Sequence, residues 1–136
     1  MYGTVIMPTT EYNYCRFDTK AITPVIERGE KALPEIKNNL ENAKTEAEVI
    51  ENLYILDRML DNGVHKVSEL YPTLSKFNQT KSPNIQTFLA GIYRKIKVPD
   101  AFGPLIAMLI RNSIDPPSCP FDPNEEIGGA ILDYIA

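Results

Sequence analysis

A chain of 136 residues that is 43% apolar, 24% charged and 9% aromatic, with a formal net charge of −4, has the size and balance of one globular domain. A domain of this length buries roughly two thirds of the surface its unfolded chain exposes, so it stands without metal or disulfide staples. No run approaches the ~18 apolar residues of a membrane span, and Met1 to Pro8 lacks the basic start and long apolar stretch of a secretory signal, so the expected setting is cytoplasmic and away from membranes.

Residues 1–23, with Pro8, Tyr12, Tyr14 and Phe17, hold no sustained 3.6-residue period and read as an irregular N-terminal arm whose aromatics pack onto the body. Thr23-Pro24 is a helix start, a capping hydroxyl followed by a proline at the first position, and Ile26, Gly29, Leu33, Ile36 and Leu40 extend one face to about 42. Pro34 inside that span removes a backbone hydrogen bond, which predicts a kink near Glu30 and Lys31. Thr45 and Glu48 form a capping box for a second helix over 46–61, ended by Asn62-Gly63. A third is expected over 64–78 with Pro72 inside it, a fourth over 83–97 capped by Ser82, and a fifth over 99–112 with Pro104 inside. Gly91 in the fourth suggests a close helix contact. Leu53, Leu56, Leu74, Leu89, Ile92 and Leu109 are the expected core. No segment alternates with period two, so the fold class is all-α, a helical-repeat body over 24–112.

Residues 113–136 begin with four prolines between Pro116 and Pro123, which exclude helix there. Ile127, Ile131, Leu132 and Ile135 then allow a short capping helix, while Gly128-Gly129 favours a flexible tail that folds only on a partner. Both remain open.

Leu33-Pro34-Glu35-Ile36, Tyr71-Pro72-Thr73-Leu74 and Gly103-Pro104-Leu105-Ile106 each set a proline in the first helix of a pair, at spacings of 38 and 32 residues. A helix, turn and helix recurring every ~30–47 residues is the mark of an α-solenoid. Over about 24–111 the chain resembles the HEAT-repeat class, whose first helix commonly carries a kinking proline; Glu48 and Asn84 stand nearest the Asp and Arg that class often shows near the start of its second helix. The resemblance implies antiparallel helix pairs stacked into a surface for another protein. A closed five- or six-helix bundle is the alternative, since short loops serve both.

Catalytic patterns are sparse. Cys15 and Cys119 with the single His65 are too few for a zinc site, and no metal or cofactor is expected. The two cysteines read as thiols. His65 reads as an exposed first-turn residue, and Glu46, Glu48, Glu51, Asp57 and Asp61 as solvated helix surface rather than an acid–base pair. No glycine stands in a strand-to-helix phosphate loop.

Charge is segregated. Residues 70–111 carry six bases against Asp100 alone, whereas 112–136 carry five acids and no base. Lys76, Lys81, Tyr93, Arg94, Lys95 and Lys97 make the candidate binding surface, with Lys/Arg density suited to an anionic partner and an aromatic able to stack on a base. If the tail docks, Glu125, Glu126 and Asp133 lie near Arg94, Lys95 and Lys97. The expected function is a non-enzymatic interaction module or adaptor that presents a helical surface to another protein; the alternative is nucleic-acid binding through the basic block over 76–97.

Overall fold

A computed structural model of the chain describes residues 1–6, 15–117 and 122–136. Two short strands, β1 (Val5–Ile6) and β2 (Arg16–Phe17), pair antiparallel with Val5 opposite Phe17. The helices are α1 (Thr19–Arg28), α2 (Leu33–Glu41), α3 (Glu46–Asp61), α4 (Tyr71–Leu74), α5 (Pro83–Ile96), α6 (Phe102–Ile114) and α7 (Asn124–Ile135). The all-α class holds, and the one departure among the described residues is this two-residue ladder in a region expected to have no strand. Among the described residues no helix is long and apolar enough to cross a membrane.

The first helix starts earlier than its sequence suggests. Asp18, in extended backbone, accepts the Lys20 N–H at 3.1 Å and caps α1, so Pro24 falls inside the helix rather than at its start. Lys20 and Pro24 are both exposed, which puts the carbonyl deprived by the proline on the wet side of the helix. The expected kink is a full break: Gly29 takes a φ of 60°, which a side chain disfavours, and a 3-10 turn over Gly29–Ala32 precedes α2. The span 64–78 is not one α-helix but 3-10 turns, His65–Leu70 and Ser75–Phe77, on either side of the single turn α4.

The three repeat prolines explain these irregularities. Pro34, Pro72 and Pro104 each fall in the first turn of an α segment that follows a 3-10 turn. Each proline deprives the carbonyl four residues back of an N–H. For Pro34 that carbonyl is Glu30, and the Leu33 N–H bonds to it instead; for Pro72 it is Ser68, and the Tyr71 N–H does the same. Tightening to an i→i−3 bond one residue early thus satisfies the acceptor that the proline abandons. At Pro104 the abandoned carbonyl is Asp100, which accepts the Tyr71 hydroxyl at 2.9 Å.

Neighbours in sequence pack in pairs, α1 and α2 on α3 and α6 on α7, while the 65–77 segment touches α2, α3 and α5. α3, α5 and α7 lie side by side, α5 between the other two, and these two contacts are the most extensive in the fold. α7, reached across the proline-rich stretch, is therefore a docked helix that pairs with α6. Between the layers lie Leu53, Leu56, Leu74, Leu89 and Ile92, all at 0% exposure; Leu109, expected among them, is only half-buried because α6 is peripheral. The Cys15–Cys119 pairing lies outside the described residues, as do Tyr12 and Tyr14 of the arm.

The arm is fastened by a buried acid. Glu51 on α3, 2% exposed, accepts the Tyr2 N–H at 2.9 Å, the Thr4 N–H at 3.0 Å and the Thr4 hydroxyl at 2.8 Å. Phe17 stacks on Tyr54 with ring centroids 3.9 Å apart, and both meet Phe88 of α5 edge-on. Glu51 is thus a structural anchor rather than the solvated acid its helix spacing suggests.

Candidate functional site

Three of the six residues of the basic block, Tyr93, Arg94 and Lys95, lie together on α5 and are spent internally. Tyr93 is fully buried: its hydroxyl donates to Asn78 Oδ1 at 2.5 Å, and burial, with Tyr71 and Tyr134 alongside, pushes the phenol far above its ordinary range. It cannot stack on a base from solution. Arg94 reaches α7, with Nη1 3.0 Å from Glu126 Oε1 and Nε 2.8 Å from Asp133 Oδ2. Those hydrogen bonds, to Asp133 first, raise the guanidinium pKa, and the same bond draws the Asp133 carboxyl below the usual carboxylate range. Lys95 turns the other way, to Asp57 at 2.7 Å and Asp61 at 2.8 Å on α3; burial works against its charge, but the two carboxylates prevail and its pKa rises.

Two adjacent bases on the middle helix thus bind four carboxylates on its two neighbours. Neighbouring residues on a helix point about 100° apart, so Arg94 and Lys95 reach opposite flanks of α5. Gly129 belongs to this arrangement: a Cβ there would sit 3.1 Å from Arg94 Nη1, so the guanidinium lies against bare α7 backbone. Gly91 does not do what its place suggests, since a Cβ would meet Glu126 and Asp57 at ordinary contact distances of 3.6 and 4.0 Å. Lys76, Lys81 and Lys97 remain exposed, Lys97 as the left-handed cap of α5 with a φ of 50°. His65 is exposed as well. Among the described residues no three His, Cys, Asp or Glu side chains gather in a way that could hold a metal.

A second feature lies at the open end of the stack, and its residues fit core and capping faces when read from sequence. Leu132 and Ile135 of α7 are 67% and 69% exposed, and Ile110 and Ile114 of α6 are 55% and 80% exposed. α7 turns Glu126, Gly129 and Asp133 toward α5, and buries Ile127, Ala130 and Ile131. At helical spacing Gly128, Leu132 and Ile135 form a separate stripe on the flank away from α5. Ile106, Ile110 and Ile114 form the parallel stripe on α6, four residues apart. The two helices run antiparallel, as Asn112 bonds Asn124 at one end at 2.9 Å and Phe102 meets Tyr134 at the other.

The opposite end differs in kind. There α1, α2 and the turn between them expose Thr19, Lys20, Thr23, Glu27, Lys31, Glu35 and Asn38, with only Ala21, Pro24 and Pro34 as apolar residues among them and no large aliphatic side chain. A stack of helix pairs that ends in a polar surface is capped, and one that ends in isoleucine and leucine is not. No protein-family model matches the chain, and neither a curated protein nor a solved structure matches it.

Proposed function

We propose that the chain is a protein-interaction module whose docking surface is the uncapped end formed by α6 and α7. The observation that carries this reading is the concentration of exposed large aliphatic side chains on that end, Ile110, Ile114, Leu132 and Ile135, against the polar end at α1 and α2. Scattered exposed apolar residues are ordinary, whereas exposed aliphatics aligned in stripes along two adjacent packed helices suit a surface that is covered in use. HEAT-like stacking of helix pairs suits this role, since each pair leaves its outer face for the next element. The nucleic-acid alternative keeps Lys76, Lys81 and Lys97 of its constellation as exposed cations outside any ion pair among the described residues, since Arg94 and Lys95 are held by carboxylates and Tyr93 is buried.

The test compares proteins retained by the native chain with those retained by an Ile114→Asp/Leu132→Asp variant and by a Lys31→Glu/Asn38→Asp variant at the other end. Retention lost only with the first variant, its melting curve unchanged, supports the reading. Retention equal in all three overturns it.

A further inference from the structure

The charges around the α6–α7 end define what can cover it. At the end where α6 finishes and α7 begins, Asp115, Asp122 and Glu125 are all exposed, and none is in an ion pair among the described residues. Glu125 continues the Gly128, Leu132, Ile135 stripe by one helical step, and Asp115 directly follows Ile114. Arg111, the one base of α6, donates to the Asn78 carbonyl at 2.7 Å and so turns back toward the 65–77 segment. Lys81 is the one exposed base beside them, lining a hollow with Ile114 and Asp115, so the apolar stripes run out into an excess of negative charge, three acids against one base.

The face is built of two helices packed side by side. Two antiparallel packed helices lie about 8–10 Å apart and leave a shallow trough between their outer ridges. Gly128 lowers one ridge, where a Cβ would meet nothing within 4 Å, so an incoming backbone can approach closely there. We infer, on the strength of the interaction reading above, that this trough takes an amphipathic helix from a partner protein whose apolar stripe is flanked by lysine or arginine.

Charge complementarity selects this occupant over the others. A second copy of the chain, paired through the same face, would bring Asp115 and Glu125 against their own counterparts in one orientation. In the opposite orientation they would meet Lys97 and Asp100, whose charges cancel. An anionic lipid surface would be repelled by the acidic end. A basic flank gains attraction there and steers its apolar stripe into register.

The inference is tested with two synthetic amphipathic peptides of about 18 residues sharing one leucine stripe, one with lysine and one with glutamate on the polar face, titrated into the methyl-labelled chain. The lysine peptide should bind about tenfold or more tightly at ~50 mM salt, shift the Ile114 and Leu132 methyls, and lose most of that advantage at ~500 mM, where the Debye length is only a few ångströms. Asp115→Lys/Glu125→Lys should invert the preference, and Ile114→Asp/Leu132→Asp should abolish binding of both peptides. Equal binding of the two peptides overturns the basic flank and leaves the docking face standing; binding of neither removes the docking face too. A concentration-dependent dimer lost in Ile114→Asp/Leu132→Asp assigns the face to a second copy, and uptake onto anionic vesicles through the same residues assigns it to a membrane. Either result overturns the inference.

Discussion

The Tyr71 hydroxyl donates to the Asp100 carbonyl at 2.9 Å, and Asp100 is the acceptor that Pro104 deprives of its helical partner. One side chain from α4 therefore completes the first turn of α6. The bond also holds Tyr71 beside Tyr93, whose ring centroid is 5.5 Å away.

Tyr71→Phe should lower stability by about 0.5–1.5 kcal/mol, the usual net worth of one hydrogen bond. In a Pro104→Ala background the alanine restores a backbone N–H that can reach the Asp100 carbonyl, and the same tyrosine substitution should cost less. Urea melts of the four proteins measure the coupling, and equal losses in both backgrounds would show that the hydroxyl does not stand in for the missing N–H.

Adjacent positions on α7 should respond oppositely. Ile131 is 7% exposed and faces the core, so Ile131→Ala should cost about 2–4 kcal/mol. Leu132 is 67% exposed, and Leu132→Ala should stay within about 0.5 kcal/mol. A large loss at Leu132 in thermal or urea melts would mean that α7 is rotated from the orientation described.

What is legible in the sequence, and what is not, divides by the range of the interaction. Thr45 and Ser82 place the starts of α3 and α5 correctly because a cap bonds within three residues, to Glu48 and Ile85. Asp18 escapes notice beside Thr23-Pro24, an equally good local signal that the arm's attachment overrides. Glu51 reads as surface from its neighbours Glu46 and Glu48, since its donors Tyr2 and Thr4 are nearly fifty residues away. The charge blocks correctly bring Arg94 near Glu126 and Asp133, but nothing local assigns Lys95 to Asp57 and Asp61. The uncapped end stays hidden because Ile110, Ile114, Leu132 and Ile135 fit amphipathic stripes as well as core residues do.

Removing the arm's anchor should free it without unfolding the body. Glu51→Ala leaves the Tyr2 and Thr4 N–H groups without their acceptor, with an expected loss of about 1–3 kcal/mol. Hydrogen exchange should accelerate at Thr4 while the α3 and α5 amides near Leu53 and Leu89 stay protected. Unchanged protection at Thr4 would contradict the anchoring role.

The Arg94–Asp133 contact should show in the acid limb of stability. Arg94 lowers the folded-state pKa of Asp133, so the stability it adds is present above the unfolded carboxylate pKa and is lost as pH falls through the lower folded value. The native chain should melt above Arg94→Met at pH ~6, and the gap should close toward pH ~2–3. In Arg94→Met the Asp133 carboxyl, followed by NMR, should titrate at higher pH than in the native chain; an unmoved midpoint would contradict the contact.

Whether the α6–α7 end is the docking surface is tested most directly by site-resolved photo-crosslinking. A photoreactive residue replaces exposed Leu132 on α7 in one sample and exposed Asn38 on α2 in another, and each is irradiated with the proteins that the native chain retains. Crosslinks from position 132 and none from 38 are the predicted result. Crosslinks from 38 alone, or equal yields from both ends, would contradict the assignment.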